Sequence, residues 1–580
     1  MITHTHDMTP MLAPSRTRAP RLGAFLPSDV VLRNVAVGAV LAAMVLLIML
    51  PLYAVLSKSM QDGAGRFIGL ANFAEYASNA ALRRSIDNSL FVSVLTALIT
   101  VPLAYLYSYA LTRTCIRLKA LFKGIALLPL LAPSLLPAIS LTFMFGNQGF
   151  IKSWLAGHSI YGPIGIVIAQ AFHCFPHAVL ILTTALSLAD RRVYEVAETL
   201  GTPRWRVFWT ITFPSIRYGL ISALFVVFTI AIVDFGVAKV IGGQYSVLAI
   251  DIFRQIIGQQ NFQMGSVIGV ILLIPSLLSF GVDFFVRRKQ VAQFGSRAML
   301  LQPKPRFWFD AIMLVMVSVI GLMILSILAT AVFASFVKLW PYNLSFSTAS
   351  YDFKNFDPAG WSPYWNSIVM ASWTALIGTV LVFVGAYLLE KGKASATLRT
   401  IVQFFAMMPL AVPGIVLGLG YVFFYNSPVN PLSYLYGSMA LLVMCSIAHY
   451  YTVPHLAALT ALKQLDTEIE TASDALGVPF WTTFLRVTVP ICLPAILDIA
   501  TYLFVNAMTT VAAVIFIYVP ETKVASIAVV AMDDTGDTGA ACAMALMIVY
   551  TSIAVKLAQT LLSKWLFRRS QAWRAGAVEV

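Results

Sequence analysis

Apolar runs separated by short polar stretches dominate this chain from about residue 34 to residue 566. A membrane-crossing helix needs about 20 mostly apolar residues. Runs of that length are centred on residues 35–57, 89–112, 121–145, 161–187, 216–241, 264–286, 310–336, 367–389, 400–425, 436–462, 492–518 and 539–563. The pattern predicts an all-α membrane protein with about twelve spanning helices. The first six and the last six runs follow in the same order at similar spacing, so the chain reads as two homologous six-helix halves.

Composition narrows the class. Apolar residues make up 59% of the chain, charged residues 11%, and the mean hydropathy is +0.83. Soluble domains carry roughly 25% charged residues, which excludes a soluble fold of this size. Roughly three quarters of the 39 lysines and arginines lie on one side of the predicted spans, and the positive-inside rule makes that side cytoplasmic, with both termini on it. The net charge of +14 is this membrane bias, so the expected basic-side partner is the lipid bilayer and no nucleic acid. The first apolar run starts too far in, and runs too long, for a cleavable signal, and reads as an anchor. Domain bounds follow: a disordered cytoplasmic tail over 1–30, a first six-helix half over 31–290, a linker over 291–308, a second half over 309–570 and a tail over 571–580. Cys115, Cys174, Cys445, Cys492 and Cys542 form no CxxC or similar pair. No metal, disulfide framework or cofactor of the chain's own is expected.

The duplication is sharpest in two loops. TALSLADRRVYEVAETLGTPRWRVFWTITFP occupies residues 184–214, and TALKQLDTEIETASDALGVPFWTTFLRVTVP occupies 460–490. Asp190/Asp466, Leu200/Leu476, Gly201/Gly477, Pro203/Pro479, Trp205/Trp481, Phe208/Phe484, Thr212/Thr488 and Pro214/Pro490 are each 276 positions apart. The likeness extends to Asn88-Ser89 and Asn366-Ser367, which open the second and eighth runs. It includes Pro129 and Pro133 against Pro409 and Pro413, and Pro176-His177 against Pro454-His455. Proline within a spanning helix leaves backbone groups unpaired, and lipid tolerates that where neighbouring helices or a water-lined path satisfy them. The third and ninth helices are therefore expected to face the bundle interior. A packing kink without a transport role is the alternative.

Each loop reads as a helix, a glycine and a second short helix. Asp190 serves as N-cap, Gly201 supplies the left-handed terminator, and Thr202 with Pro203 restarts the chain as N-cap and first-turn proline. Trp205, Phe208, Trp209 and Thr212 fall at helical spacing on one face, and Pro214 closes the element. Such a unit suits docking into a groove of another protein.

These residues resemble the EAA---G loop of inner-membrane permeases in binding-protein-dependent ABC importers, whose pattern is roughly E-A-A-x-x-L-G followed by I-x-x-P. Glu195, Ala197, Leu200, Gly201, Ile211 and Pro214 match in the first copy; Ala472, Leu476, Gly477, Val487 and Pro490 match in the second. Thr471 stands where the glutamate belongs, with Glu470 before it. The resemblance covers nearly the whole chain and implies the type I importer fold. It also implies that Glu195, Ala197, Leu200, Gly201, Trp205 and Pro214, with Glu470, Ala472, Leu476, Gly477, Trp481 and Pro490, dock on ATP-binding subunits whose closure drives alternating access. The chain has no G-x-x-x-x-G-K-[ST] phosphate loop, and Gly392-Lys393 cannot substitute for one. ATP would thus be bound by a separate subunit, a homodimer, since one chain presents both docking elements. The chain itself is not expected to be an enzyme. A periplasmic substrate-binding protein is the other implied partner, and a bacterial inner membrane the implied location.

Fused halves are typical of the branch importing ferric iron, thiamine and 2-aminoethylphosphonate. Residues 505–546 look like the second half of permeases assigned to 2-aminoethylphosphonate, which makes that substrate the first expectation and ferric iron or thiamine the alternative. Residues 532–537, with Asp533, Asp534 and Asp537, are expected in an external loop suited to docking or gating. Within the spans the ionisable candidates are Asp234, Lys239, Asp283, Asp498, His177 and His455, and such residues default to a functional reading. Asp283 and Asp498 lie toward cytoplasmic helix ends, where solvation accounts for them. The histidines either line a path or are satisfied by a neighbouring helix, the second being favoured. Pro129, Pro133, His177, Asp234, Pro409, Pro413 and His455 form the candidate translocation path. A secondary transporter is the rival of another class, but it gives no reason for two docking loops.

Overall fold

The computed structural model describes residues 27–187, 190–293, 303–391 and 396–570. Most of the expected linker, the terminal tails beyond residues 27 and 570, and Gly392-Lys393 lie outside the described residues. Among those described, nine helices are long and apolar enough to cross a membrane, and three bent pairs raise the number to twelve. They coincide one for one with the apolar runs. In chain order they are span 1 (Asn34–Ser59), span 2 (Ala80–Arg113), span 3 (Lys119–Leu131 with Leu135–Phe145), span 4 (Pro163–Ser187), span 5 (Arg204–Val233) and span 6 (Phe262–Val286). The second half repeats them as span 7 (Phe307–Ser335), span 8 (Ser362–Glu390), span 9 (Thr397–Ala411 with Gly414–Tyr425), span 10 (Met439–Tyr450 with Thr452–Lys463), span 11 (Phe480–Thr509) and span 12 (Thr538–Leu566).

The prolines break spans 3 and 9 outright. The arms of span 3 meet at 101° and those of span 9 at 111°. Pro129 and Pro409 lie in tight 3-10 turns, Leu128–Leu131 and Met408–Ala411, and Pro133 and Pro413 follow at the turn itself. Two prolines four residues apart remove two successive ladder donors, so a continuous helix loses its hydrogen bonding there. The second arms, Leu135–Phe145 and Gly414–Tyr425, are buried along nearly their whole length, placing these spans in the interior. Span 10 bends by 59°, whereas span 4 runs unbroken through Pro176. One side-chain difference accompanies this: Thr452, at the bend, donates its hydroxyl to the Ala406 carbonyl at 2.9 Å, where span 4 carries Cys174.

Spans 1 and 7 are exchanged between the halves. Pro51 cannot donate to the carbonyl of Leu47, four residues earlier, and the wide turn Val45–Met49 precedes it. That carbonyl accepts instead from the hydroxyl of Tyr421, in span 9, at 3.0 Å. The neighbouring Gly420 lets the backbones touch, since a Cβ there would lie 2.6 Å from the Pro51 carbonyl oxygen. Span 7 returns the contact on the first half. Gly321 sits against Ile125 of span 3, Phe309 meets Tyr109 of span 2 edge-on at 6.3 Å, and Trp340, just beyond span 7, meets Phe143 at 5.5 Å. The segments 31–290 and 309–570 are therefore interlocked in space.

Asn88-Ser89 and Asn366-Ser367 do not open their helices; spans 2 and 8 start at Ala80 and Ser362. They act as outside caps for the chain beyond spans 5 and 11. Ser89 Oγ accepts from the amide of Leu248 at 2.8 Å, and Ser367 Oγ from that of Ala525 at 2.8 Å. These are the first residues of helices Leu248–Phe253 and Ala525–Asp534. Asn88 donates to the Ser246 carbonyl at 2.8 Å and Asn366 to that of Lys523 at 2.9 Å. The repeated dipeptide thus supplies partners to helix ends buried away from water.

Candidate functional site

The two loops fold alike. Asp190 Oδ1 accepts from the amide of Arg192 at 3.0 Å, and Asp466 Oδ1 from that of Glu468 at 3.0 Å. The helix Arg191–Thr199 ends at Gly201, whose φ is 62°. The amide of Gly201 bonds to the Glu198 carbonyl and that of Thr202 to the Ala197 carbonyl, both at 3.0 Å, the paired bonds of a Schellman terminator. Gly477 has φ 67°, with Val478 bonded back to Ser473 at 3.0 Å. The residue turned inward at this position is Ala197 in one copy and half-buried Ser473 in the other, while Ala472 is exposed.

The restart differs from expectation. Pro203 and Pro479 are the cap residues, so neither Thr202 nor a first-turn proline plays the expected part. Nor does Pro214 close the element. Wide π-turns, Phe208–Thr212 and Phe484–Thr488, lie within spans 5 and 11 and lead directly into their long helices, Phe213–Val233 and Val489–Thr509. Phe213 and Val489 bond back five residues, to Phe208 and Phe484. That wide turn absorbs the ladder interruption at the following proline, so each loop is continuous with a membrane span. The wide turn also splits the expected aromatic face: Trp205 and Trp209 are exposed, Phe208 is half-buried and Thr212 buried. Leu200 with Trp205 and Leu476 with Trp481 are exposed in both copies.

The acidic residues have separate duties. Glu195 pairs with Arg191 one turn away at 2.6 Å on the surface, and Glu198 with Lys304 at 2.7 Å. Glu470 turns inward to Lys391 at 3.1 Å, with side chains 20% and 8% exposed. Lys391 also donates to the Leu465 carbonyl at 3.3 Å. Lys391 follows span 8 as Arg113 ends span 2, and Glu470 corresponds to Tyr194. In the first half the Arg113 guanidinium lies 5.0 Å from the Tyr194 ring centroid and donates to the Leu186 carbonyl at 3.0 Å. One joint therefore uses a cation–π contact and the other an ion pair to tie a loop helix to a span. Sequence reasoning missed this role; the shared offset of the two cations was its available signal.

A second duplicated joint links spans 5 and 6, and 11 and 12. Ser222 donates to Asp283 at 2.5 Å, and Gln559 donates to Asp498 at 2.9 Å. The carboxylate has changed sides between the copies. Asp283 is 4% exposed, so solvation does not account for it as expected; burial against span 5 does. Asp498 is exposed and lies 3.6 Å from Lys556.

Spans 5 and 11 stop at Val233 and Thr509, short of the expected 241 and 518. Asp234 ends the first by accepting from the amide of Val237 at 2.9 Å, thereby capping the helix Gly236–Ile241. Gly236 packs on the break of span 3, where a Cβ would fall 2.4 Å from Ser134 Oγ. The second half matches it: Gly414 and Gly418 of span 9 pack on the Ala513 backbone beyond span 11. The structure therefore brings Pro133, Asp234 and Pro413 to interrupted helices. His455 is not satisfied by a neighbouring helix as expected, and at His177 the same holds of Nδ1. Both ring nitrogens of fully buried His455 and Nδ1 of His177 lack a hydrogen-bond partner. His455 stacks on the Tyr451 ring at 5.5 Å, and His177 lies 6.3 Å from the His173 ring. Residues 532–534 are not loop but the last turn of Ala525–Asp534, with Met532 buried.

The chain matches the family model described as "Binding-protein-dependent transport system inner membrane component" twice, over residues 109–290 and 383–568. It is similar to the ferric transport system permease protein of Actinobacillus pleuropneumoniae, with 26% identity over 498 residues, covering 82% of this chain and 70% of that one. It is similar to an Fe(3+)-transport system permease protein of Haemophilus influenzae, with 22% identity, covering 84% and 91%. Over 38% of its length it is 27% identical to a sulfate transport system permease protein of Synechocystis, covering 78% of that chain.

Proposed function

Because the chain belongs to the family of binding-protein-dependent transport system inner membrane components, and carries that domain twice, we propose that it is the complete membrane path of an importer for ferric iron. As a member of this family it is a multi-pass inner-membrane permease working with an ABC ATPase and a substrate-binding protein. The observation that carries the substrate is the likeness to ferric permeases across both halves, over 82% and 84% of this chain. These relatives favour the iron alternative and lend the 2-aminoethylphosphonate expectation no support. The loops with exposed Leu200 and Trp205, and Leu476 and Trp481, meet the ATPase on the cytoplasmic side, where both termini also lie by the positive-inside rule. The same apolar pair in both copies suits two identical clefts, hence an ATPase homodimer.

The test is uptake of radioactive ferric iron by proteoliposomes holding this chain, its ATPase and its iron-loaded binding protein. ATP-dependent iron accumulation is expected, with no accumulation of labelled 2-aminoethylphosphonate. Phosphonate uptake without iron uptake would overturn the substrate and leave the permease role intact.

A further inference from the structure

Beyond spans 5 and 11, on the side away from the coupling loops, the two halves meet through an ionic contact. The helix Gly236–Ile241 begins at the Asp234 break and carries Lys239 in its last turn. The Lys239 ammonium lies 3.0 Å from Oδ1 of Asp534, the final residue of the second half's helix Ala525–Asp534. It also sits 5.1 Å from the centroid of the Phe253 ring. Phe253 packs on Phe235 at 5.2 Å and stacks across the halves on Phe516 at 6.4 Å.

Both arms of this contact are anchored at working parts of the molecule. Gly236, at the foot of the first, rests against Ser134 in the break of span 3. Ala525, at the foot of the second, is capped by Ser367 of span 8. A movement of broken span 3 or of span 8 therefore shifts one partner relative to the other. The repeat places Ile515 opposite Lys239 and Ile257 opposite Asp534, so the ion pair has no twin across the pseudo-symmetry.

We propose that Lys239 and Asp534 form a latch between the halves, closing the side opposite the ATPase and opening in each transport cycle. The exposure of the pair fits a contact that breaks repeatedly. The Lys239 side chain is 20% exposed and that of Asp534 51%, so water reaches both charges on parting and reduces the penalty of a stranded charge. Behind the pair the Phe253–Phe516 stack provides an apolar surface on which the halves re-register. Lys239 and Asp534 are positioning residues, acting through the relative placement of the halves.

The experiment uses the whole transporter with its ATPase and binding protein in proteoliposomes. Lys239 and Asp534 are both replaced by cysteine, and exposed Cys115 by serine, with the other cysteines buried. A short bis-thiosulfonate reagent then bridges the pair through cleavable disulfides. Bridging is expected to cut ATP-driven uptake at least about tenfold, with recovery when the bridge is reduced, so that each sample is its own reference for folding. Separately, Lys239→Glu should raise cargo-independent ATP hydrolysis several-fold, and adding Asp534→Lys should return it toward the parent value. Absence of bridging, or undiminished uptake through a bridged transporter, would overturn the latch. So would failure of the double reversal to restore a basal rate that the single reversal had raised.

Discussion

Replacing Glu470 by alanine removes one partner of the joint holding the helix of the second loop to span 8. At 3.1 Å and an effective dielectric near 20, the gross attraction is about 5 kcal/mol. Deleting one member of a buried pair typically costs about 3–5 kcal/mol, because the other charge is stranded. Lys391 is the more buried partner, at 8% exposure, and after the change keeps the Leu465 carbonyl at 3.3 Å. Glu470 is 20% exposed, so screening reduces the loss to about 2–3 kcal/mol. If local opening governs exchange, amides of residues 471–478 should exchange about 30 to 150 times faster. Hydrogen-exchange mass spectrometry of the transporter in nanodiscs reads this directly, with residues 190–202 as an internal control that should not change. A double replacement, Lys391→Arg with Glu470→Tyr, copies the Arg113–Tyr194 joint and should restore most of the protection. A change below about threefold in the Glu470→Ala protein would refute the view that this pair holds the helix.

Two further outcomes are expected. Gly201→Asp and Gly477→Asp should each weaken ATPase binding without loss of membrane insertion, since φ of 62° and 67° costs a side-chain-bearing residue on the order of 1 kcal/mol while a Cβ meets open space; pull-down of the ATPase by each variant checks this, and unimpaired binding in both would remove the docking role. Burial, then neighbouring Asp534, push the carboxyl of Asp533 up to about 6, with Lys239 opposing. A raised carboxylate pKa means a stabilising contribution complete below the unfolded value and lost as pH rises through about 6. Asp533→Asn should therefore raise the Tm at pH 7.5, by roughly 1–3 kcal/mol of stability, and leave it unchanged near pH 4; thermal unfolding at both values tests the sign.

The apolar runs were sufficient for the number and order of the spans, because a bilayer demands about 20 apolar residues for each crossing whatever surrounds it. The 276-residue offset made the duplication legible, and with it the fold of the paired loops, since Asp190 and Gly201 act through local capping and backbone geometry. Local rules failed where the backbone continued past them. Pro214 and Pro490 look like stops, yet a wide turn before each lets the helix run on through spans 5 and 11. What lay beyond the sequence was which distant group satisfies which orphan. The carbonyl left by Pro51 finds Tyr421 in the other half, and the helix starting at Leu248 finds Ser89. Arg113 and Lys391 meet a tyrosine and a glutamate at equivalent places, and Asp283 finds Ser222 where Asp498 finds Gln559. Hydrocarbon offers no water to unpaired polar groups, so their partners must come from the protein, and chain order does not say from where. The exchange of spans 1 and 7, and the contact of Lys239 with Asp534, are consequences of that tertiary accounting.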